Sequence, residues 1–270
     1  MCEGSGGSLM IKVIVAGAAG KMGREVCKTV LDDPETELYG AVDVESMGED
    51  IGTLIGRTPV GIEIGSLKDA LEGAEGQVLV DFTFANAVMD NLRAAARNRV
   101  HIVVGTTGLS DDNKVEIKKL CADYGINAII APNFAIGAVL MMKFAEMAAR
   151  YMNRAEIIEL HHDQKRDAPS GTAMQTAKLI APKIKGPRVQ SEEILPGSLG
   201  GEYEHVRVHS VRLPGFVAHQ EVIFGGIGQS LTIRHDSIDR TSFMPGVLMA
   251  VKAVREYPGV TIGLDKIMDL

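Results

Sequence analysis

Short runs of consecutive apolar residues punctuate the first half of the chain. Each ends in a glycine, acid or Thr-rich break and is followed by residues with helical spacing. Residues 10–16 form a β-branched run that predicts a buried strand. A helix follows through Val26, Val30 and Leu31 and stops before Pro34. Further strands are predicted over 37–42, weakly over 60–64, and over 77–82, 101–104 and 126–130. Helices are predicted around 67–71, over 85–97 and after the Ser110-Asp111-Asp112 start signal. Strand alternating with helix means a doubly wound parallel sheet of Rossmann type. Past Asn133 and Phe134 the pattern changes. A long apolar helix is expected over 135–152, then a strand over 155–161. Ala168-Pro169 breaks the chain, and Ser170 caps a helix running to about 180. Residues 182–203 read mostly as loop. Three alternating runs, 205–213, 217–224 and 229–236, are joined by Pro214-Gly215 and by Gly225-Gly226-Ile227-Gly228. They predict a mostly antiparallel sheet inside a mixed α+β domain. A last helix, 239–256, ends before Pro258-Gly259 and carries an apolar face (Phe243, Val247, Leu248, Val251, Val254) suited to docking on the first domain.

These elements divide the chain into a leader (1–9), a dinucleotide-binding domain (10–133, completed by 241–270) and an inserted second domain (134–240) that should hold the substrate. A length of 270 residues suits about two domains. A net charge of −7 argues against a polyanion-binding surface, and an aromatic content of 4 % with no Trp suits base stacking poorly. Nucleic acid is therefore not an expected partner. Residues 126–142 lack charge, but Pro132 and Asn133 split them, so no membrane span is expected. Cys2, Cys27 and Cys121 are scattered and odd in number, which reads as reduced thiols in a cytoplasmic protein.

Candidate chemistry starts with Gly17-Ala18-Ala19-Gly20-Lys21-Met22-Gly23-Arg24, directly after the first strand. Gly17 allows the tight turn, Gly20 lets amides approach a pyrophosphate, and Gly23 lets the helix pack close. Asp43 closes the second strand about twenty residues on, where a ribose-binding carboxylate is expected. It would accept from the ribose hydroxyls of NADH and repel the 2′-phosphate of NADPH. NADH is the expected cofactor, with NADPH tolerated. Asp81-Phe82-Thr83, Gly105-Thr106-Thr107-Gly108 and Ala131-Pro132-Asn133-Phe134 end the later strands on the same sheet edge.

The second concentration of chemistry spans 159–172: Glu-Leu-His-His-Asp-Gln-Lys-Arg-Asp-Ala-Pro-Ser-Gly-Thr. A strand end, a cationic loop and a helix start lie together, which suits binding an anion and giving it a proton. His161-His162 without a third nearby ligand is poor zinc spacing, and no metal is expected. Neighbouring strand side chains point to opposite faces, so one of the two histidines can be structural. Lys165, among Asp163, Arg166 and Asp167, can equally be a solvated lysine.

The stretch 159–173 resembles the E-x-H-H-x-x-K-x-D-x-P-S-G-T-A signature of the dihydrodipicolinate reductase family. The glycine loop, Asp81-Phe82-Thr83, Gly105-Thr106-Thr107-Gly108, Ala131-Pro132-Asn133-Phe134 and Ser210-Val211-Arg212 are similar to that family's markers in the same order. The resemblance implies a nicotinamide-dependent reductase of diaminopimelate and lysine biosynthesis, acting on a cyclic dicarboxylate and assembled as a homotetramer. It implies His161 as general acid with Lys165 as its partner. His162, Lys165, Ser170, Gly171, Thr172 and Thr107 would bind substrate. Gly17, Ala19, Gly20, Lys21, Met22, Asp43, Phe82, Gly105, Thr106, Thr107, Ala131, Asn133 and Phe134 would bind cofactor. Phe84 stands where some members have an arginine, and Asp43 where others have the longer glutamate; both weigh against a strong NADPH preference. An amino-acid dehydrogenase on the same scaffold and a non-catalytic dinucleotide sensor are the competing readings.

Overall fold

The computed structural model describes residues 10–186 and 191–270; the expected leader, Cys2 and part of the 182–203 loop lie outside them. The chain divides into two compact units, Met1–Phe134 with Phe243–Leu270, and Ala135–Ser242. The first unit opens with β1 (Ile11–Ala16), α1 (Lys21–Asp32), β2 (Thr36–Val42), α2 (Ile51–Leu54), β3 (Ile64–Gly65) and α3 (Leu67–Leu71). It continues with β4 (Val78–Asp81), α4 (Val88–Arg97), β5 (His101–Val104), α5 (Asp111–Tyr124) and β6 (Ala128–Ile130). The second unit holds α6 (Ile136–Ala148), β7 (Arg154–His161), α7 (Gly171–Ile180), β8 (Gly201–Tyr203), β9 (Val206–Arg212), β10 (Ala218–Gly226) and β11 (Gln229–Ser237). The chain then returns through a 3₁₀ turn (Arg240–Phe243) to α8 (Met244–Ala253) and β12 (Val260–Ile262).

The first unit is a seven-stranded sheet in the order β12-β6-β5-β4-β1-β2-β3, with every pair parallel. Its inner strands are apolar on both faces because helices cover both. Val13, Ile14, Val15, Leu79, Val80, Ile102 and Val103 are fully buried. Helix α4 lays Val88, Met89, Leu92, Ala95 and Ala96 into this core. Each large side chain so buried contributes about 1.5–3 kcal/mol. The strand order reverses between β1 and β4, which leaves a crevice beyond their carboxyl ends. Two expectations need correction here. The run 239–256 is not one helix: Asp239 accepts from the Thr241 amide at 2.8 Å and caps a 3₁₀ turn, and Pro245 fits only the first turn of the α8 that follows. The short β12 after Pro258-Gly259 escaped the periodicity entirely, since three residues carry too little pattern.

The second unit is a five-stranded sheet in the order β11-β10-β7-β9-β8. β7 pairs antiparallel with β10 and parallel with β9. The predicted antiparallel neighbourship of the 205–213 and 217–224 runs is therefore wrong: β7 lies between them, and Pro214-Gly215 begins a crossing rather than a hairpin. The β10–β11 hairpin is present, with Gly226 opposite Gln229 and Gly228 at φ +69° supplying the turn. β7 alternates, with Ala155, Ile157 and Glu159 buried and Glu156, Ile158 and Leu160 half-buried. α7 covers the first set along β7 and β9, and α6 lies on β11, where Gly137 leaves room for the His235 ring.

Candidate functional site

In the first unit, β1 ends in a turn that only glycines permit. Gly17 sits at φ +82°, and a Cβ there would lie 2.6 Å from the Phe82 carbonyl oxygen. At Gly23 a Cβ would come within 2.0 Å of the Gly17 carbonyl oxygen, so α1 starts pressed against the loop. Gly20 is the N-cap of α1 and offers no side chain to its amides. The first-turn N–H groups are thus left for an anion. Asp43 ties the loop to the end of β2: one carboxylate oxygen accepts from the Ala19 amide at 2.9 Å, the other from the Val44 and Glu45 amides at 2.8 and 3.1 Å. A carboxylate has about four lone-pair positions, so this clamp leaves capacity for a sugar hydroxyl.

Asp81 organises the next two strand ends. It is fully buried, and its carboxylate accepts from the Thr83 amide and hydroxyl, from Asn91 and from the Thr106 hydroxyl, at 2.6–3.0 Å. The Phe82 ring then lies where a Gly105 Cβ would meet it at 2.1 Å, and it packs against Phe134 at 5.7 Å between centroids. Ala131 continues the edge by donating to the Val104 carbonyl at 3.1 Å.

A cavity of about 560 Å³ opens along this edge, with Gly17, Gly20, Asp43 and Phe82 in its wall. The other residues expected to meet a cofactor do not line it. Ala19, Gly105, Thr106, Ala131 and Phe134 hold the wall residues in place, as described. Lys21 and Met22 begin α1, Thr107 is exposed, and Asn133 is half-buried. Sequence reasoning missed Val44, Met47, Ser66, Leu67 and Asn91 as wall residues. Val44, Met47 and Ser66 come from turns without periodicity, and Leu67 and Asn91 from helices whose spacing does not show what they face; the one available signal was Ser66 as the N-cap of α3. Phe84 also lines the cavity and is 78 % exposed.

In the second unit, β7 brings Glu159 and His161 to the same face by their two-residue spacing. Glu159 has no exposed surface. Arg212 grips it with both terminal nitrogens, at 2.9 and 2.7 Å, from the end of β9. The Ser170 amide donates to it at 3.2 Å, and His161 Nδ1 contacts its other oxygen. Burial pushes the Glu159 carboxyl up, but the bonds from His161, Arg212 and Ser210 outweigh it and hold the pKa down at about 2. Glu159 is therefore an anion at the root of the 159–172 stretch. His161 is half-buried, whereas His162 lies just beyond the strand and is exposed. The two histidines thus occupy different settings, one on the strand and one past its end.

Ser170 caps α7, its hydroxyl accepting from the Ala173 amide at 3.2 Å. Gly171 and Thr172 form the first turn behind it. Lys165 pairs with Asp167 at 2.7 Å and keeps only 22 % of its side chain exposed. The Asp167 carbonyl in turn accepts from Arg212 at 2.7 Å. One hydrogen-bonded chain thus links Lys165, Asp167, Arg212, Glu159, His161 and the Ser170 cap. Glu159 and Arg212 had been quoted in the sequence motif but given no role. The pairing of His161 with Arg212 across β7 and β9 depends on strand register, which no local pattern shows. Chemically, the stretch offers a helix N-terminus, a lysine and a carboxylate-backed imidazole.

Among the described residues no helix is long and apolar enough to cross a membrane. The sequence model of the dihydrodipicolinate reductase N-terminus matches residues 11–134, and that of the C-terminus residues 137–268. The chain is 50 % identical over 262 residues to a 4-hydroxy-tetrahydrodipicolinate reductase of Moorella thermoacetica, covering 96 % of this chain and 98 % of that one. It is 48 % identical to the protein of the same name from Thermosynechococcus vestitus, over 97 % and 98 % of the two chains. A dipicolinate-bound dihydrodipicolinate reductase from Paenisporosarcina superposes with a TM-score of 0.83 at 40 % identity, over 96 % of this chain and all of that one. With both halves matched and relatives this similar along nearly their whole length, the chain belongs to the dihydrodipicolinate reductase family.

Proposed function

We propose that this protein reduces 4-hydroxy-tetrahydrodipicolinate to tetrahydrodipicolinate with loss of water, in the diaminopimelate and lysine pathway. The observation that carries the reading is the linkage of His161 and the Ser170 helix cap through one buried carboxylate, Glu159. It puts a proton-carrying imidazole and an anion-binding helix start on the same anchor.

A dicarboxylate needs cations and amides. Lys165, His162 and the Ser170-Gly171-Thr172 turn supply them here. An exposed helix N-terminus gives an anion about 0.3–1 kcal/mol, and up to ~2 when partly buried. A nicotinamide held by the first unit would supply a hydride for ring C4 of the conjugated imine that loss of the 4-hydroxyl as water leaves. Electron density then builds on the ring and needs a proton. His161 gives that proton with Lys165 as its partner, a step worth roughly 10²–10⁴ in rate. On the first unit, the Gly17–Gly20 loop with Lys21 and Met22 takes the pyrophosphate and Asp43 the ribose. The edge formed by Phe82, Gly105, Thr106, Ala131, Asn133 and Phe134 shapes the nicotinamide end. Asp43 favours NADH over NADPH, because a 2′-phosphate would face its anion.

The reading also includes a homotetramer built on the second sheet. In its support, the face of that sheet away from α6 and α7 carries the half-buried Ile158, Leu160, Val211 and Ile223, together with the Glu156–His209 pair at 2.9 Å.

The deciding experiment follows loss of NADH or NADPH absorbance with freshly generated substrate, in wild type and in His161→Ala and Lys165→Ala. Wild type should turn over, faster with NADH at low cofactor, and His161→Ala should lose roughly 10²–10⁴ in kcat. Absence of wild-type turnover with either cofactor refutes the activity. Full turnover in both variants refutes the acid assignment alone.

A further inference from the structure

A general acid must present one chosen nitrogen to the substrate, and an isolated histidine interchanges its two tautomers freely. His161 is not isolated. Its Nδ1 meets Glu159, and Glu159 is held so completely that it cannot turn away: Arg212 takes both oxygens and the Ser170 amide takes one. A carboxylate accepts and cannot donate, so Nδ1 must carry a hydrogen in every state of the ring.

We propose that Glu159, clamped by Arg212, is a positioning residue for His161: it fixes the hydrogen on Nδ1 and so makes Nε2 the atom that passes the proton to substrate. This rests on the reductase reading for its kinetic consequence but not for the geometry.

The alternative is that Glu159 merely balances the Arg212 charge and closes the Ser170 cap. Stability alone explains the arrangement poorly. A buried ion pair replaced by apolar residues of equal volume is often neutral or stabilising. The cap also needs only one oxygen, because the Ser170 hydroxyl already serves the Ala173 amide. The contact to Nδ1 helps keep Glu159 an anion, but neither task requires that this partner be an imidazole. Strand geometry points the same way. Residues two apart on β7 share a face, so the glutamate lies alongside the histidine it would orient, and Arg212 stands opposite His161 in the β7–β9 register, from where it reaches back to Glu159. A base held by a third, buried group is the general logic of oriented proton transfer, in which a wrong tautomer costs far more than the lost hydrogen bond.

The test reads the tautomer directly. Full-length protein is labelled with ¹⁵N-histidine, and the His161 ring resonances are assigned by their absence in His161→Gln. Spectra are taken without substrate at a pH where the ring is neutral. Wild type should show the hydrogen on Nδ1. Glu159→Gln, which keeps the volume but can turn an N–H toward the ring, should move it to Nε2. With substrate, Glu159→Gln should lower kcat by about 10²–10⁴ while KM stays within a few-fold. Glu159→Asp, which keeps the charge on a shorter arm, should recover part of the loss. A wild-type ring with its hydrogen on Nε2 overturns the proposal, and so does a Glu159→Gln protein with unchanged tautomer and kcat. The wild-type spectrum decides even if the variants misfold. Absence of wild-type turnover would refute the reductase reading and leave the tautomer result to judge this one.

Discussion

Replacing Gly23 with alanine sets two physical rules against each other. Gly23 is the third residue of α1 and has no left-handed backbone. By helix propensity alone, alanine there should stabilise by about 1 kcal/mol. The space says otherwise. The new Cβ would lie 2.0 Å from the Gly17 carbonyl oxygen, 2.6 Å from its carbon and 2.8 Å from the Ala18 Cα, whereas ordinary contacts are 3.4–4 Å. All three are backbone atoms, so no side chain can rotate away. Either α1 retreats by more than about 1 Å or the 17–20 turn deforms, and overpacking of this kind costs roughly 1–3 kcal/mol.

The turn is not free to deform either. Gly17 is already pressed on the Phe82 carbonyl, and Ala19 is bonded to Asp43. We therefore expect a net loss of stability. For a chain of this size 1 kcal/mol corresponds to about 2–4 °C in Tm. Displacing the α1 amides from an anion forfeits up to about 2 kcal/mol, which is roughly thirtyfold in NADH Kd. Thermal unfolding and calorimetric titration with NADH measure both. Gly171→Ala is the control for stability: it too sits in the first turn of a helix, but nothing lies within 4 Å of its Cβ, so its Tm should hold or rise slightly. If Gly23→Ala raises Tm and binds NADH as wild type does, the steric account of this loop is wrong.

Three other outcomes are expected. Ser170→Ala removes the cap that accepts from the Ala173 amide and should cost about 1 kcal/mol, read by urea unfolding, even without substrate. Glu159, held at about 2 against an ordinary 4.5, stabilises the fold above pH 4.5; this contribution of about 3 kcal/mol disappears as pH falls toward 2, and Glu159→Gln should flatten stability across that window. A wild-type curve already flat there would count against the buried anion. Asp43→Ala should lower the NADH-to-NADPH preference in kcat/KM, and it should also loosen the loop whose Ala19 amide it holds; an unchanged cofactor ratio would take specificity away from this carboxylate.

How far the sequence could be read depended on the range of the interaction that decides each feature. The parallel sheet of the first unit was legible because burial on both faces writes an uninterrupted apolar run, as in 11–16 and 78–81. Gly17, Gly20, Gly23 and Asp43 were legible because the turn, the helix approach and the strand end are all local. The cavity wall was not. Met47, Ser66 and Asn91 reach it from three separate turns or helices, and nothing in their spacing connects them. β12 stayed hidden for a related reason: three residues become a strand only because β6 offers them an edge.

The second sheet shows the same limit at the level of chemistry. Alternation correctly identified β9, β10 and β11 as strands, and the turn glycines suggested joining them in sequence. Alternation says which side chains share a face; it is silent on which strand is the neighbour. β7, earlier in the chain, took the place between β9 and β10. That one insertion is what puts Arg212 beside Glu159, and through Glu159 beside His161. A reading that pairs β9 with β10 leaves Glu159 as a charge without its guanidinium partner and Arg212 without its carboxylate. The motif 159–172 therefore contains the candidate acid, but the arginine that holds its central carboxylate is about fifty residues away and reaches it only through the strand order.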